Sequence, residues 1–197
     1  MTRTAEIARA TKETDVKLLL ALDGTGAGTR ATGVGFLDHM LDLLARHGRL
    51  DLDVSASGDL ETGAHHTVED TGIVLGQALD EALGDRAGIG RYGHAVVPMD
   101  EARASATLDV SGRPFCTFEA DLPPGGTGGF DHELAEEFFR AIANSARLTI
   151  HLSITEGTNA HHMIEAAFKA FARALRQATE LDPTEPGVPS TKGTLTA

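Results

Sequence analysis

The chain repeats itself. "FLDHMLDLLARHGRLDLDV" (36–54) lies over "LAEEFFRAIANSARLTIHL" (134–152) at an offset of 98, so that His39 faces Glu137, Arg49-Leu50 faces Arg147-Leu148 and Asp53 faces His151. The next loop is shorter by two in the second copy, and His65-His66 with Glu69 then face His161-His162 with Glu165 at an offset of 96. Upstream, "LLLALDGTG" (18–26) matches "TLDVSGRP" (107–114) at an offset of 88, setting Gly24 against Gly112 and Glu13 against Glu101. Three shifts in one order, interrupted only at loops, mark a duplicated unit. Both halves must then share one order of elements, which constrains the fold more than any single motif.

Each half reads as strands, helix, strand, helix. In "LDLDVSAS" (50–57) Leu50, Leu52, Val54 and Ala56 alternate with polar residues, the pattern of a strand with one buried face, and "RLTIHLSI" (147–154) repeats it. After each histidine pair the period becomes helical: Val68, Gly72, Leu75, Leu79 and Ala82 form one stripe, and Ile164, Phe168, Phe171 and Leu175 the other. Residues 36–47 and 131–146 read as the preceding helices. "GDRAGIGRYG" (84–93) is a Gly-rich connector, and "DPTEPGVPSTKGTLTA" (182–197), with three prolines, a non-helical tail. The expected division is an arm (1–12), a first repeat (13–83), a connector (84–100), a second repeat (101–181) and the tail (182–197), built into one compact domain. The class is α+β, with helices covering one face of each sheet.

Composition narrows the partners. A chain of 197 residues can bury a sizeable core. A formal charge of −12 opposes phosphate backbones and anionic membranes, so neither nucleic acid nor membrane is an expected partner. The single cysteine, Cys116, cannot close an intrachain disulfide, the N-terminal residues lack a signal-like apolar core, and "LLLAL" (18–22) is too short to span a bilayer. A cytoplasmic protein is expected. No Walker or dinucleotide-binding glycine motif is present.

The histidines point to metal. Neutral imidazole and carboxylate are the ligands of borderline divalent ions such as Mn, Fe, Ni and Zn. On a helix His66 and Glu69 are three apart and share a face, while His65 is rotated by about 100° from His66; the same holds for His162 with Glu165 and for His161. Each doublet therefore points at two places, and two doublets suggest two ion sites, drawing on both halves or on neighbouring subunits. With nine histidines, chance gives about 0.4 adjacent pairs, and about 0.03 with a glutamate three further on; two hits at matching places outweigh that. Of the other histidines, His39 is placed as a ligand by its facing Glu137. His151, on a strand among apolar residues, reads as a hydrogen-bonded core histidine or as one supporting a ligand, and His47, His94 and His132 as surface or substrate-lining.

The symmetry fails at Lys169, four residues after Glu165 and facing Ile73 in the first half; Arg173 and Arg176 extend the basic face. An ordinary i,i+4 ion pair would account for Lys169, but a cation beside a metal site in so acidic a chain also suits a phosphate. "PSTKG" (189–193) offers a hydroxyl, a lysine and a glycine amide together, and Arg91 and Arg113 follow glycines in "GIGR" and "SGRP".

"FLDHML", "AHHTVEDTG", "GIGRYG", "PMDEA", "SGRP", "HHMIEAAFKAFARALRQA" and "PSTKG" together resemble the imidazoleglycerol-phosphate dehydratases of histidine biosynthesis, from about Glu13 to Gly193. That resemblance implies a duplicated unit like domain 2 of ribosomal protein S5, with four helices sandwiched between two mixed β-sheets. It implies two Mn ions per active site and no organic cofactor. A 24-subunit octahedral shell is expected, with active sites at subunit contacts. The reaction would be loss of water from D-erythro-imidazole-glycerol phosphate to give imidazole-acetol phosphate. The carbon-bound proton has no carbonyl to make it acidic, and the resemblance implies that metal at the imidazole ring would supply the Lewis acidity, through an imidazolate, that lets the hydroxyl leave. The ligands carried over are His39, His65, His66, Glu69, His161, His162 and Glu165, with Glu137 in the eighth place, where several relatives carry histidine, and His132 its rival. Substrate contacts carried over are Glu13, His47, Arg91, Arg113, Lys169, Ser190 and Lys192. Glu13 is the expected acid/base, beside His39, Glu69 and Glu165 as catalytic groups. The competing functions are a metal-binding shell without catalysis and a metal-dependent phosphohydrolase.

Overall fold

A computed structural model describes residues 3–195. In the first half β1 (Thr4–Ala10) and β2 (Thr14–Ala21) form an antiparallel hairpin, β4 (Asp51–Gly58) pairs antiparallel with β2, and the short β3 (Arg30–Ala31) lies parallel on the outer edge of β4. In the second half β5 (Tyr92–Met99), β6 (Ala102–Asp109), β10 (Thr149–Glu156) and β7 (Phe115–Glu119) repeat that order and those directions. The helices are α1 (Gly35–Gly48), α2 (His65–Leu83), α3 (Leu134–Ala146) and α4 (Ala160–Thr179). Two short elements have no counterpart among the described residues: a small hairpin of β8 (Gly126–Thr127) and β9 (Phe130–Asp131) ahead of α3, and a 3-10 turn (Leu60–Thr62) ahead of α2.

The alternation read from the sequence is what buries these sheets: Val16, Leu18 and Leu20 of β2 and Leu52 and Val54 of β4 point inward, as do Ala104, Ala106 and Leu108 of β6 with Ile150 and Leu152 of β10. α2 lies on β1 and β2, α4 on β5 and β6, and the helices meet in the middle as α1 with α4 and α2 with α3. Both helix–helix contacts join one half to the other, so neither half closes its core alone. Phe139 anchors the centre, with ring centroids 4.7 Å from Phe168 and 5.2 Å from Phe171. The duplication extends to backbone detail. Arg49 and Arg147 close α1 and α3 in the same left-handed conformation, both at φ 54°, though non-glycine residues seldom adopt it.

The structure moves two sequence boundaries. The arm (1–12) contains β1 and the connector (84–100) contains β5, each the edge strand of its sheet, so both halves begin one strand earlier than 13 and 101. The third helix starts at Leu134 rather than 131, because Phe130 and Asp131 pair with Thr127 and Gly126. Among the described residues no helix is long and apolar enough to cross a membrane.

The approach of α2 to α3 depends on Gly72 and Gly76. A Cβ on Gly76 would lie 2.6 Å from Ser145 Cβ, and one on Gly72 2.9 Å from Ala141 Cβ. Gly76→Ala is expected to destabilise by about 1–3 kcal/mol despite the better helix propensity of alanine. Gly35→Ala, where a Cβ meets nothing within 4 Å, serves as the control. Urea midpoints of the two variants check this.

Candidate active site

Asn159 caps α4, its side chain accepting the His161 N–H at 2.9 Å, which places the second histidine doublet in the first turn. Thr32 donates to Asp38 Oδ1 from its amide at 2.8 Å and its hydroxyl at 2.7 Å, fixing the entry to α1 and with it His39. Where α1 crosses α4, Glu165 Oε2 lies 3.1 Å from His161 Nε2 and 3.5 Å from His39 Nε2, while Oε1 lies 2.6 Å from Lys169 Nζ. Phe36 packs edge-on against the His161 ring at 5.0 Å. His39, His161 and Glu165 each offer one ligand atom within 4.8 Å of the others, the one such trio among the described residues. Burial pushes the Glu165 carboxyl up, but the Lys169 ammonium, with His39 and His161, outweighs it and holds the acid below its ordinary value. A nearly buried carboxylate facing two imidazole nitrogens is a donor set that fits Mn, Fe or Zn.

Each doublet does point two ways, its rings 6.0 Å and 6.1 Å apart and both pairs at 85°. The grip is i,i+4, however, not the i,i+3 pairing expected. His161 faces Glu165, and His65 faces Glu69 at 3.8 Å. The first turn of each helix carries the first histidine over the glutamate and turns the second one outward. His162 Nδ1 meets Glu101 Oε2 at 2.7 Å, and His66 Nδ1 meets Asp59 at 3.0 Å. A carboxylate on Nδ1 fixes ring orientation and leaves Nε2 as the ligating atom.

The halves differ in which acid does this. Glu101 is committed: besides His162 it accepts the amides of Thr158 at 3.1 Å and Asn159 at 2.8 Å. Its counterpart Glu13 is relieved by Asp59, which sits at the 3-10 turn (Leu60–Thr62) created by the longer loop of the first half. Glu13 is left 57% exposed, its carboxylate 3.9 Å from His66 Nε2. Asp59 and Glu101 were not among the sequence-derived site residues; the pairing of Glu13 with Glu101 was the available signal for one, and nothing in the pattern marked the other.

Glu137 is not gathered with His65 and Glu69 within this chain; its carboxylate lies 3.7 Å from Arg140 Nη1, on its own helix. Its rival His132 is buried with both ring nitrogens engaged, Nδ1 by Pro123 O at 2.7 Å and Nε2 by Thr127 Oγ1 at 3.1 Å, which makes it a brace of the β8–β9 hairpin. His151 is not a core residue: it alternates with buried Ile150 and Leu152 on β10, so its side chain lies on the exposed face of the sheet, bonded to Thr117 Oγ1. His47 lines a cavity of about 500 Å³ with His94, Arg173 and Arg176. Burial, then the charges of Lys169, Arg173 and Arg46, holds its pKa below the ordinary imidazole value.

The remaining substrate candidates form a second cluster. Arg91 donates to Asp109 at 2.8 Å and 3.2 Å and to Pro189 O at 2.8 Å, and Arg113 Nη2 lies 3.7 Å from the same aspartate. Ser190 and Lys192 follow directly in a turn closed by Gly193 N–H to Ser190 O at 3.0 Å. This patch lies at the far end of α4, where Arg91 N–H bonds Ala178 O at 2.8 Å. From Glu165 to Ala178 the helix rises about 20 Å.

A sequence profile described as imidazoleglycerol-phosphate dehydratase matches residues 32–175. A relative of that name from Geobacter metallireducens is 57% identical over 195 residues, covering 99% of this chain and 100% of its own. One from Symbiobacterium thermophilum is 58% identical over 193 residues, 98% of this chain and 93% of its own. Among solved structures, imidazoleglycerol-phosphate dehydratase from Staphylococcus aureus superposes with a TM-score of 0.82 at 43% identity, over 90% of this chain and 99% of that one. The enzyme from Pyrococcus furiosus, solved in complex with (S)-C348, gives 0.82 at 38% identity, over 95% and 99%. The class these findings define is a hydro-lyase, an enzyme that breaks a carbon–oxygen bond with loss of water. The chain belongs to the imidazoleglycerol-phosphate dehydratase family.

The Glu101–His162 pair has a definite pH signature. Its hydrogen bond to His162 and the amides behind it take the Glu101 carboxyl down to about 2 from its usual 4.5, and the bond to Glu101 raises His162 above its usual 6.5. The depressed acid stabilises fully above 4.5 and loses its effect as pH falls towards about 2; the raised imidazole stabilises fully below 6.5 and loses its effect as pH rises past its folded value. In metal-free protein the loss of stability from Glu101→Gln is therefore expected to be greatest between pH 4.5 and 6.5 and to shrink on either side. Thermal midpoints across pH measure it.

Proposed function

We propose that this chain dehydrates D-erythro-imidazole-glycerol phosphate to imidazole-acetol phosphate in L-histidine biosynthesis, with two Mn ions per active site. The observation that carries the proposal is the Glu165 carboxylate, shared between two imidazoles and a lysine where α1 crosses α4. His39, His161 and Glu165 would hold one ion. His65 with Glu69, His66, His162 and Glu137 would be the remaining ligands, brought together between chains. Such ions, when bound, would supply Lewis acidity to the substrate's imidazole ring.

The chain's own groups do the rest. Arg91, Arg113 and Lys192 bring positive charge to the phosphate, Ser190 offers it a hydroxyl, and Lys169 and His47 line the approach. Glu13, unlike its tethered counterpart Glu101, is uncommitted and moves the carbon-bound proton. Expulsion of the neighbouring hydroxyl and loss of that proton give an enol, which tautomerises to the ketone of the product; substrate equals product plus water. The two clusters lie about 20 Å apart along α4, farther than a substrate of about 10 Å, built from bonds near 1.5 Å, can reach. That separation supports sites completed by neighbouring subunits, as a 24-subunit shell would provide, and assembly in the cytoplasm belongs to the same reading.

Two measurements test this. Removal of metal with a chelator is expected to abolish dehydration and Mn to restore it; full activity without metal overturns the reading, and release of inorganic phosphate instead of water marks a phosphohydrolase. Glu13→Gln is expected to keep metal content and assembly while kcat falls by about 10²–10⁴-fold. A near-normal kcat removes Glu13 from its role.

A further inference from the structure

Arg86 takes no part in the site described, yet it is wholly buried in a left-handed conformation at φ 62°. Its guanidinium ties together three parts of the chain: Nη2 donates to Asp80 Oδ1 at 2.6 Å and to Ala146 O at 3.1 Å, and Nη1 donates to Leu195 O. The cation is not required to neutralise Asp80, since Arg147 also reaches that carboxylate, at 2.8 Å and 2.9 Å. What Arg86 adds is a hold on the far end of the tail. Leu195 is 4% exposed, and a Cβ on Gly112 would lie 1.8 Å from the Leu195 carbonyl oxygen, so only glycine leaves room for that carbonyl to reach the guanidinium.

Gly112 immediately precedes Arg113. The upstream end of the same tail is pinned at Pro189 O by Arg91, 2.8 Å away, and at Gly187 O by the Gly88 amide, 2.7 Å away. Ser190, Thr191, Lys192 and Gly193 form a turn slung between these two anchors, with Gly193 at φ 74°. A lysine on an exposed turn otherwise gives up much side-chain and backbone freedom when it orders on a ligand. Fastening both ends bears part of that cost in advance.

We propose that Arg86 is a positioning residue for substrate binding: by clamping Leu195 against Gly112 it holds the Ser190–Lys192 turn beside Arg91 and Arg113, ready for the phosphate. The clamp rests on the reading that Ser190 and Lys192 grasp the substrate's phosphate.

Full-length Leu195→Asp and Arg86→Met enzymes, loaded with Mn, test it against wild type and Lys192→Ala. Both variants are expected to raise KM for the phosphorylated substrate by about tenfold or more with kcat within about twofold. Thermal midpoint and metal content of Leu195→Asp should stay at wild type, and trypsin should cut after Lys192 faster. Wild-type KM in Leu195→Asp, whether or not the tail is released, overturns the clamp. Because Lys192→Ala is measured alongside, the two failures separate. Raised KM there with Leu195→Asp unaffected sinks the clamp alone, whereas wild-type KM in Lys192→Ala sinks the phosphate role and the clamp with it.

Discussion

The structure depends on helices crossing between halves. Each copy makes a sheet and two helices, but α1 finds its partner in α4 and α2 in α3. The closeness of that second contact needs glycine at positions 72 and 76. The same crossing creates the metal-capable trio, since His39 stands on α1 while His161 and Glu165 stand on α4. Core and candidate site are thus consequences of one packing arrangement. A shift of α1 against α4 large enough to relieve a clash would also separate His39 from Glu165, now 3.5 Å apart.

Duplication supplies two equivalent frames, and small departures give them different work. Two extra residues ahead of the first doublet build the turn beside Asp59, which takes the ring of His66 and leaves Glu13 uncommitted. In the second half no such turn intervenes, and Glu101 is spent on His162 and two amides. The lysine against Glu165 replaces an isoleucine in the first half. One copy keeps an exposed carboxylate beside its doublet and the other a lysine held against its buried one.

Much of this was legible in the sequence. The offsets of 98, 96 and 88 marked the duplicated order of elements, apolar periodicity the helices, and the helical rotation of about 100° per residue the divergence of each histidine pair. The edge strands were missed for physical reasons. β5 carries Gly93 and Pro98, which signal a connector, yet proline is tolerated on an edge and Gly93 lets the strand lie against α4, where a Cβ would be 1.9 Å from Ala174 O. The choice between i,i+3 and i,i+4 was not decidable from spacing, because both put side chains on one face; the capping turn at Asn159 settles it for the second doublet. Glu137 matches His39 in position, but its surroundings differ: its own helix sets Arg140 3.7 Å from its carboxylate, where the first half has Asp42 at the matching place.

The length of α4 separates the imidazole–carboxylate trio at its start from the arginine–lysine patch at its end. If each centre draws its halves from different copies, competence belongs to the population of chains and not to any one of them. A chain crippled at Glu165 and another crippled at Lys192 would, co-assembled, pair the sound end of one with the sound end of the other. On that condition two dead mutants would complement, and a single faulty copy in a mixed assembly would spoil centres beyond its own borders.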